Sequence, residues 1–323
     1  MKPIISIIMP VYCTLNEILS SSLESAITQT FEDIEIIVVD DSPVDNSCEA
    51  IIKPFEERDN RILYISHKGN LGTLEARRTG VISARGDYIL FLDADDELEY
   101  NACEIMYNAA KKNKADIVNC GANINGIENI PERKHKWLLA CEEGFSLGLL
   151  INDDIMKNCF FHGKHSNVLW SKLISANLCR EAYSVIPQVY CVITEDMLLY
   201  FFVVHFAKRY FGIPEKLYHY NIDNGITVER KQYSLEDWQR MCSNSNVYKI
   251  IFSWLKEHSE YFYLEPPFMR AMFNAIRLGL QRIKENIAIE IQPQAYNIFC
   301  EMWGSDLVKR VEKKMVVQDK KTE

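Results

Sequence analysis

The densest chemistry in the sequence is Phe91-Leu92-Asp93-Ala94-Asp95-Asp96, three carboxylates within four residues at the end of an apolar run. Carboxylates so close repel one another unless a hard cation joins them. An all-oxygen set suits Mg2+ or Mn2+, which keep waters and bind substrate phosphates beside one or two carboxylates. The same cluster also reads as a solvated acidic turn capping the next helix. Asp40-Asp41-Ser42 ends a second apolar run. A carboxylate there can accept from a ribose hydroxyl or a base N–H, or it can cap the helix that follows. Between the two acidic turns lies Gly69-Asn70-Leu71-Gly72-Thr73-Leu74-Glu75-Ala76-Arg77-Arg78-Thr79-Gly80. Its glycines allow close backbone approach, and Arg77 or Arg78 could reach a phosphate, although an arginine on a helix is more often solvated.

The elements that must position these groups follow from hydrophobic periodicity. Ile4 to Met9, Glu35 to Val39, Arg61 to Ile65 and Tyr88 to Leu92 are short apolar runs that read as strands, the first ended by Pro10. Helical spacing covers 15–30, 47–57 and 74–84 between them. Strands alternating with helices of this length imply βαβ units and an α/β fold with a mainly parallel central sheet flanked by helices. In such sheets ligands gather at the carboxyl ends of the strands, where Pro10-Val11-Tyr12, Asp40-Asp41-Ser42 and Asp93-Ala94-Asp95-Asp96 all fall. Beyond residue 100 the pattern predicts a helix over 101–112, a strand from Asp116 to Cys120, a Gly/Asn/Pro-rich loop over 121–136 and aromatic-rich segments over 159–170 and 183–191. A helix follows from about Glu195 to Ala207. Residues 235–315 read as mostly helical, with Trp238, Ile250, Ile251, Trp254 and Leu255 on one face.

Composition narrows the class of function. The 323 residues carry a formal net charge of -9, which disfavours a nucleic-acid partner, because phosphate neutralisation needs a basic face. An acidic protein that handles an anionic substrate usually needs a metal ion to reconcile the two. The ten cysteines are scattered without a CxxC pair, as expected of buried thiols in a reduced, cytoplasmic protein. Neither a signal peptide nor a transmembrane run is expected. Lys309, Arg310, Lys313, Lys314, Lys320 and Lys321 form the one basic concentration, a candidate for peripheral contact with an anionic membrane. Glu312, Asp319 and Glu323 dilute it, which favours a solvated helix and tail.

The order of motifs resembles the family 2 glycosyltransferases of the GT-A (Rossmann-like) fold. The resemblance runs through Ile7-Ile8-Met9-Pro10-Val11-Tyr12, Ile36-Ile37-Val38-Val39-Asp40-Asp41-Ser42, Asn70-Leu71-Gly72 with Ala76-Arg77 and Gly80, Ala84-Arg85-Gly86-Asp87-Tyr88-Ile89 and the acidic turn. It continues more loosely through Val168-Leu169-Trp170-Ser171-Lys172-Leu173, Thr194-Glu195-Asp196-Met197-Leu198 and Leu217-Tyr218-His219-Tyr220. The resemblance implies a catalytic domain over 1–225, with a nucleotide-binding part to about 120 and an acceptor part over 121–225, and a helical extension over 226–323. It implies a metal-dependent inverting transfer from a nucleotide-sugar donor, most simply a UDP-sugar, to a glycan or lipid-linked glycan acceptor. By resemblance, Pro10, Val11, Tyr12 and an Asp of the Asp40–Asp41 pair hold uracil and ribose, with Asn70 and Ala94 beside the donor. Arg77 then lies near the nucleotide and Asp93 approaches the ribose. Asp95 ligates Mn2+ or Mg2+, His219 is a candidate further ligand, and Asp196 is the catalytic base. His219 reads equally as a packed or acceptor-stacking ring, and His162 and His165 as groups lining the acceptor cleft. Glu195 and Asp196, without the family context, are helix-opening acids favoured by the dipole. The sequence departs from the family at Cys13, where Asn is common, and near Gly225, where relatives often carry Ser.

Two other functions fit less well. A sugar-nucleotide nucleotidyltransferase also uses an acidic metal site, but would open with a Gly-rich, Arg-containing loop where Pro10-Val11-Tyr12-Cys13 stands. A non-catalytic glycan-binding module would not need Asp93, Asp95 and Asp196 together. A NAD dehydrogenase is disfavoured, since no GxGxxG follows the first strand.

Overall fold

The computed structural model describes residues 2–44, 47–126, 147–222 and 232–319, with side chains to residue 315. Gly225, Cys141, Lys320 and Lys321 lie outside the described residues. The chain divides into two compact units: Met1–Gln188 with Asp196–Val228, and Val189–Glu195 with Glu229–Glu323.

The first unit opens as the periodicity predicts. Strands β1 (Ile5–Val11), β2 (Ile34–Asp40), β3 (Ile62–Ser66) and β4 (Tyr88–Phe91) alternate with helices α1 (Asn16–Ile27), α2 (Glu49–Arg58) and α3 (Thr73–Ser83). The four strands are parallel, in the order β3-β2-β1-β4. Residues Ile5 and Ile7 to Met9 are fully buried, as a strand covered on both faces requires. Ile5, Ile7 and Met9 belong to a core shared with Leu19, Leu23 and Ala26 of α1. Ile8 faces α3, and a Cβ on Gly80 would meet its Cγ2 at 2.4 Å, so that helix can approach only through a glycine. At Gly86 the neighbour is backbone, which cannot give way: a Cβ there would lie 2.8 Å from the Ser6 nitrogen.

β1 runs two residues beyond its predicted end, through Pro10. Its β4 neighbour stops at Phe91, opposite Ile8, so Pro10 has only β2 beside it and a residue without an N–H is tolerated.

The second half of this unit holds most of what periodicity misses. After β5 (Glu97–Leu98) and α4 (Ala102–Asn113), β6 spans Ile117–Asn125, entering the segment expected to be loop. Its partner is β9 (Arg209–Asn221), a thirteen-residue strand with Gly212, Pro214, Glu215 and Lys216 in its middle. The pairing shifts register around Asn119, Gly121 and Ala122, which absorbs that irregular stretch. β7 (Gly148–Ile151) adds to β9, and β8 (Lys172–Ser175) lies antiparallel between β4 and β6. The full order is β3-β2-β1-β4-β8-β6-β9-β5, a mixed, largely parallel sheet. The short helix α5 (Asp153–Met156) precedes β8, and α6 (Ala176–Val185) and α7 (Glu195–Phe206) follow it.

The second unit is mostly helical: α8 (Leu235–Cys242), α9 (Asn244–Glu257), α10 (Glu265–Asn286), α11 (Gln292–Trp303) and α12 (Ser305–Asp319). Trp238 is buried and donates its indole N–H to the Ala295 carbonyl at 2.9 Å. On α9 the buried stripe is Val247, Ile251 and Leu255, while Ile250 and Trp254 stay half-exposed on its flank. No described helix is long and apolar enough to cross a membrane. Nine cysteines are free thiols, eight of them buried.

Candidate active site

The carboxyl ends of β1, β2 and β4 carry the expected groups, and their environments sort them. Asp40 is fully buried and accepts four hydrogen bonds, from the Ser42 and Cys48 amides, the Ser47 hydroxyl and the Tyr64 phenol. Three of the four donors fall on Oδ2 and one on Oδ1, all from the segment around α2 and β3. Asp40 therefore holds the loop that starts α2. Asp41 accepts from the Leu71 and Gly72 amides at 2.8 Å and from His67 Nδ1 at 2.7 Å, leaving one acceptor site on Oδ2. Asp40 is thus committed to the start of α2, and Asp41 to the turn before α3. In that Asn70-Leu71-Gly72 turn, Asn70 Oδ1 accepts from the Gly72 amide. The Pro10-Val11-Tyr12 turn is joined to this loop by the Asp41 amide on the Val11 carbonyl and the Cys13 amide on Ser42 Oγ. Cys13 is exposed and has φ 48°, a left-handed conformation that Asn adopts more readily than Cys.

The two arginines of α3 diverge. Arg78 pairs with Glu75 and donates to the carbonyls of Tyr183, Ile186 and Pro187, stacking over the Tyr183 ring. It closes the C-terminus of α6, where a cation meets the negative end of the helix dipole. Arg77, 2% exposed, forks between two acids: one terminal nitrogen lies 2.7 Å from Asp93 Oδ1, the other 2.6 Å from Asp196 Oδ1. Residues far apart in sequence thus meet on one guanidinium.

The three acids of the turn after β4 are likewise distinct. Asp93 keeps a side-chain exposure of 26% and is held by Arg77. Asp96 is buried beneath it, accepting from the Tyr218 phenol and the Asn221 amide, both at 2.8 Å. Burial first, then the charges of Asp95 and Asp93, push its carboxyl well above the ordinary range. Tyr218 also accepts from the Asp93 amide, so one phenol secures both flanks of the turn. Asp95 stands between them. Burial, reinforced by Asp93, raises its carboxyl to about 6, and among the described residues no other side chain donates to it. A half-buried carboxylate that is costly to ionise, beside a second carboxylate, is the environment a divalent cation relieves.

His219 follows Tyr218 on β9, so strand alternation turns it to the opposite face, where its Nε2 lies 2.9 Å from Glu99 Oε1. With Nε2 held by Glu99, Nδ1 is the nitrogen that could serve a cation. Among the described residues no group of three His, Cys, Asp or Glu side chains is arranged to hold a metal.

Asp196 opens α7, approaching from the far side of Arg77. Its second oxygen accepts from the Leu169 amide at 3.3 Å. Burial raises its carboxyl above the aspartate range, against the opposing pull of Arg77. His165, expected in the cleft, is instead buried, stacked on Tyr210 at 4.7 Å and bonded to the Tyr200 phenol. Its removal from water lowers its pKa to about 3, so it stays neutral. His162 is exposed.

Sequence reasoning passed over three residues. Tyr218 organises the acidic turn. Trp170 stacks on both Tyr218 and Tyr220, at 5.1 Å each. Lys172 is fully buried and donates to the Val168 carbonyl. The alternation of Tyr218 and Tyr220 around His219 is a strand period that could have revealed the shared aromatic face.

Comparison with known proteins decides the family. A family model described as "Glycosyl transferase family 2" matches residues 6–175, just over half of the chain and most of the sheet. The chain belongs to this family. The family 2 glycosyltransferase is 43% identical over 113 residues to Glycosyltransferase GlyA of Streptococcus pneumoniae, a match covering 35% of this chain and 16% of that protein. It is 29% identical over 247 residues to the putative glycosyltransferase EpsH of Bacillus subtilis, covering 72% and 65%. The chain spans only 16–38% of the length of three of the curated relatives it matches. The fold matches S. aureus TarS 1-349, crystallised in complex with UDP, with TM-score 0.57, 14% identity and coverage of 98% of this chain and 92% of that one. Members of the family typically require a divalent metal.

Proposed function

We propose that this family 2 glycosyltransferase performs metal-dependent, inverting transfer of a sugar from a UDP-sugar to a hydroxyl of a glycan or lipid-linked glycan acceptor. The pathway would be synthesis of a bacterial surface polysaccharide or lipopolysaccharide. Residues 1–225 would form the catalytic domain and 226–323 a helical extension, acting in the cytoplasm, at the membrane surface when the acceptor is lipid-linked. The observation that carries this reading is the Arg77 fork, which puts the donor-side Asp93 and the candidate base Asp196 on one guanidinium.

In this reading Pro10, Val11, Tyr12, Asp41 and Asn70 cradle the nucleoside, with Asp40 holding the loop behind them. Asp93 and Ala94 lie at the ribose. Asp95 would hold Mn2+ or Mg2+, which when bound supplies charge stabilisation to the departing diphosphate. Asp196 takes the proton of the acceptor hydroxyl as that oxygen attacks the anomeric carbon, and its raised carboxyl makes it a stronger base than an exposed aspartate. Arg77 orients Asp196 and offsets charge on the donor side. In support, the fold neighbour TarS has been crystallised with UDP and with UDP-GlcNAc, and the curated relatives GlyA and EpsH are described as glycosyltransferases.

The test is UDP release from a panel of UDP-sugars with Mn2+, compared between the wild type and Asp196→Asn. The variant should keep UDP affinity and lose turnover. No release from any donor would overturn the reading, and normal turnover in Asp196→Asn would overturn the assignment of the base.

A further inference from the structure

We infer that Lys172 is a positioning residue for Asp196, acting through the single peptide group that joins Val168 to Leu169. The inference rests on the reading of Asp196 as the base. Lys172 Nζ donates to the Val168 carbonyl at 2.6 Å, and the Leu169 N–H donates to Asp196 Oδ2 at 3.3 Å. That carbonyl and that N–H are the two ends of one planar unit and point in opposite directions across it. Fixing one end therefore aims the other.

The surroundings support this arrangement. Lys172 has no solvent exposure, and its amine sits 4.9 Å over the Tyr200 ring, so the stem has little freedom. Ser171, at φ 64°, folds the chain back so that a residue of β8 can reach the carbonyl four positions earlier without a helix. Trp170, stacked on Tyr218 and Tyr220, ties the middle of the same turn to β9. The turn is thus anchored by its aromatic ring and by its lysine, and the amide left to face the base is that of Leu169.

Asp196 needs this second donor. Arg77 holds Oδ1, but a carboxylate gripped at one oxygen can still rotate about its Cβ–Cγ bond. The Leu169 amide sets that rotation and so decides which lone pair faces the acceptor. At 3.3 Å it is the weaker of the two contacts, hence the one most sensitive to the tilt of its peptide. Hydrogen bonds at the two ends of an amide also polarise each other, so the lysine strengthens the N–H as a donor.

The test compares Lys172→Met, Lys172→Arg and Asp196→Asn in the full chain. It follows UDP release from UDP-glucose, UDP-galactose and UDP-N-acetylglucosamine with Mn2+, and UDP affinity by calorimetry. Lys172→Met fills the same space without a donor. It should lower kcat about 10–100-fold, the scale of loss when a reacting group is misaligned, with UDP affinity and donor KM changed less than about twofold. Lys172→Arg, which restores a donor, should recover most of the rate. In the Asp196→Asn background Lys172→Met should change the residual rate less than about twofold, because the residue it positions is already gone. Measurements are made below each variant's melting transition, so reduced stability alone does not enter. A normal kcat in Lys172→Met, an equal loss of UDP affinity, no recovery with arginine, or a full additive loss in the Asp196→Asn background would each overturn the inference. Absence of UDP release from the wild type with every donor would instead strike at the glycosyltransfer reading itself.

Discussion

Arg77 and Asp196 stand 119 positions apart and meet at 2.6 Å, with the arginine's other terminal nitrogen on Asp93. This contact is what turns a row of acidic motifs into a site. It places a cation between two carboxylates that would otherwise repel, and it does so where water has little access.

Replacing that cation tests the arrangement directly. Arg77→Met leaves Asp93 and Asp196 facing each other without compensation. Arg77 is buried, but its carboxylate partners are 26% and 21% exposed, so urea unfolding at pH 7.5 should show a loss below the about 3–5 kcal/mol of a fully buried pair. The remaining carboxyls should hold protons more tightly, which moves the acid limb of the rate profile to higher pH. Arg77→Lys should recover little, because an ammonium cannot fork between two carboxylates in the way a planar guanidinium does.

Asp95 provides a pH and metal signature. Its folded-state carboxyl titrates at about 6, above the unfolded value near 3.8. A group raised in this way stabilises the fold fully below the unfolded value, and that contribution is lost as pH rises through about 6. In chelator, Asp95→Asn should therefore be more stable than the wild type at pH 7.5, by about 2–3 kcal/mol, and should show little advantage at pH 4. Adding Mn2+ should raise the melting temperature of the wild type and leave that of the variant unchanged. Thermal melts at the two pH values, with and without the ion, read both effects.

Cys13 predicts a stabilising substitution. Cys13→Asn puts a residue that tolerates the left-handed region at φ 48°, on an exposed side chain with no packing to lose. A gain of about 0.5–1 kcal/mol in urea unfolding is expected. Cys13→Val should go the other way, because a branched Cβ is the poorest fit to that backbone.

Tyr218→Phe removes one oxygen that serves two partners, donating to Asp96 and accepting from the Asp93 amide. The buried Asp96 carboxyl loses its phenol donor, a cost of about 1–3 kcal/mol. UDP affinity in the presence of Mn2+ should fall as well, because the turn carrying Asp93 and Asp95 is then held at one fewer point. Calorimetry with UDP and urea unfolding check the two halves of this prediction.

Much of the first hundred residues is legible because β1, β2 and β4 are covered on both faces and read as nearly unbroken apolar runs, while β3, at the sheet edge, leaves Leu63 exposed. The acids at the strand ends are legible as well, since sheet topology alone says where ligands gather. Their division of labour is hidden, because it depends on distant donors. Asp40 is held by Ser47, Cys48 and Tyr64, and Asp96 by Tyr218 and Asn221. Nothing local distinguishes Asp40 from Asp41, or Arg77 from Arg78. β9 escapes notice for another reason: its Gly212, Pro214, Glu215 and Lys216 break the alternation that marks a strand. His165 misleads in the opposite direction, since the polar run His162-Gly163-Lys164-His165 conceals a ring whose place is set by Tyr200 and Tyr210.

The divergence of Arg77 and Arg78 also sets a rule of length. Successive residues of a helix are turned about 100° from one another, so one residue added or removed between Gly72 and Arg77 would turn both side chains by that angle. An insertion would aim Arg77 toward the end of α6, and a deletion would aim Arg78 toward the acids; in either case the other arginine would face neither partner. Conservative replacement along α3 leaves this geometry intact, whereas a single insertion or deletion redirects both arginines at once. Among variants of this enzyme, the distance in sequence from Gly72 to Arg77 should thus be less tolerant of change than the identity of the residues that fill it.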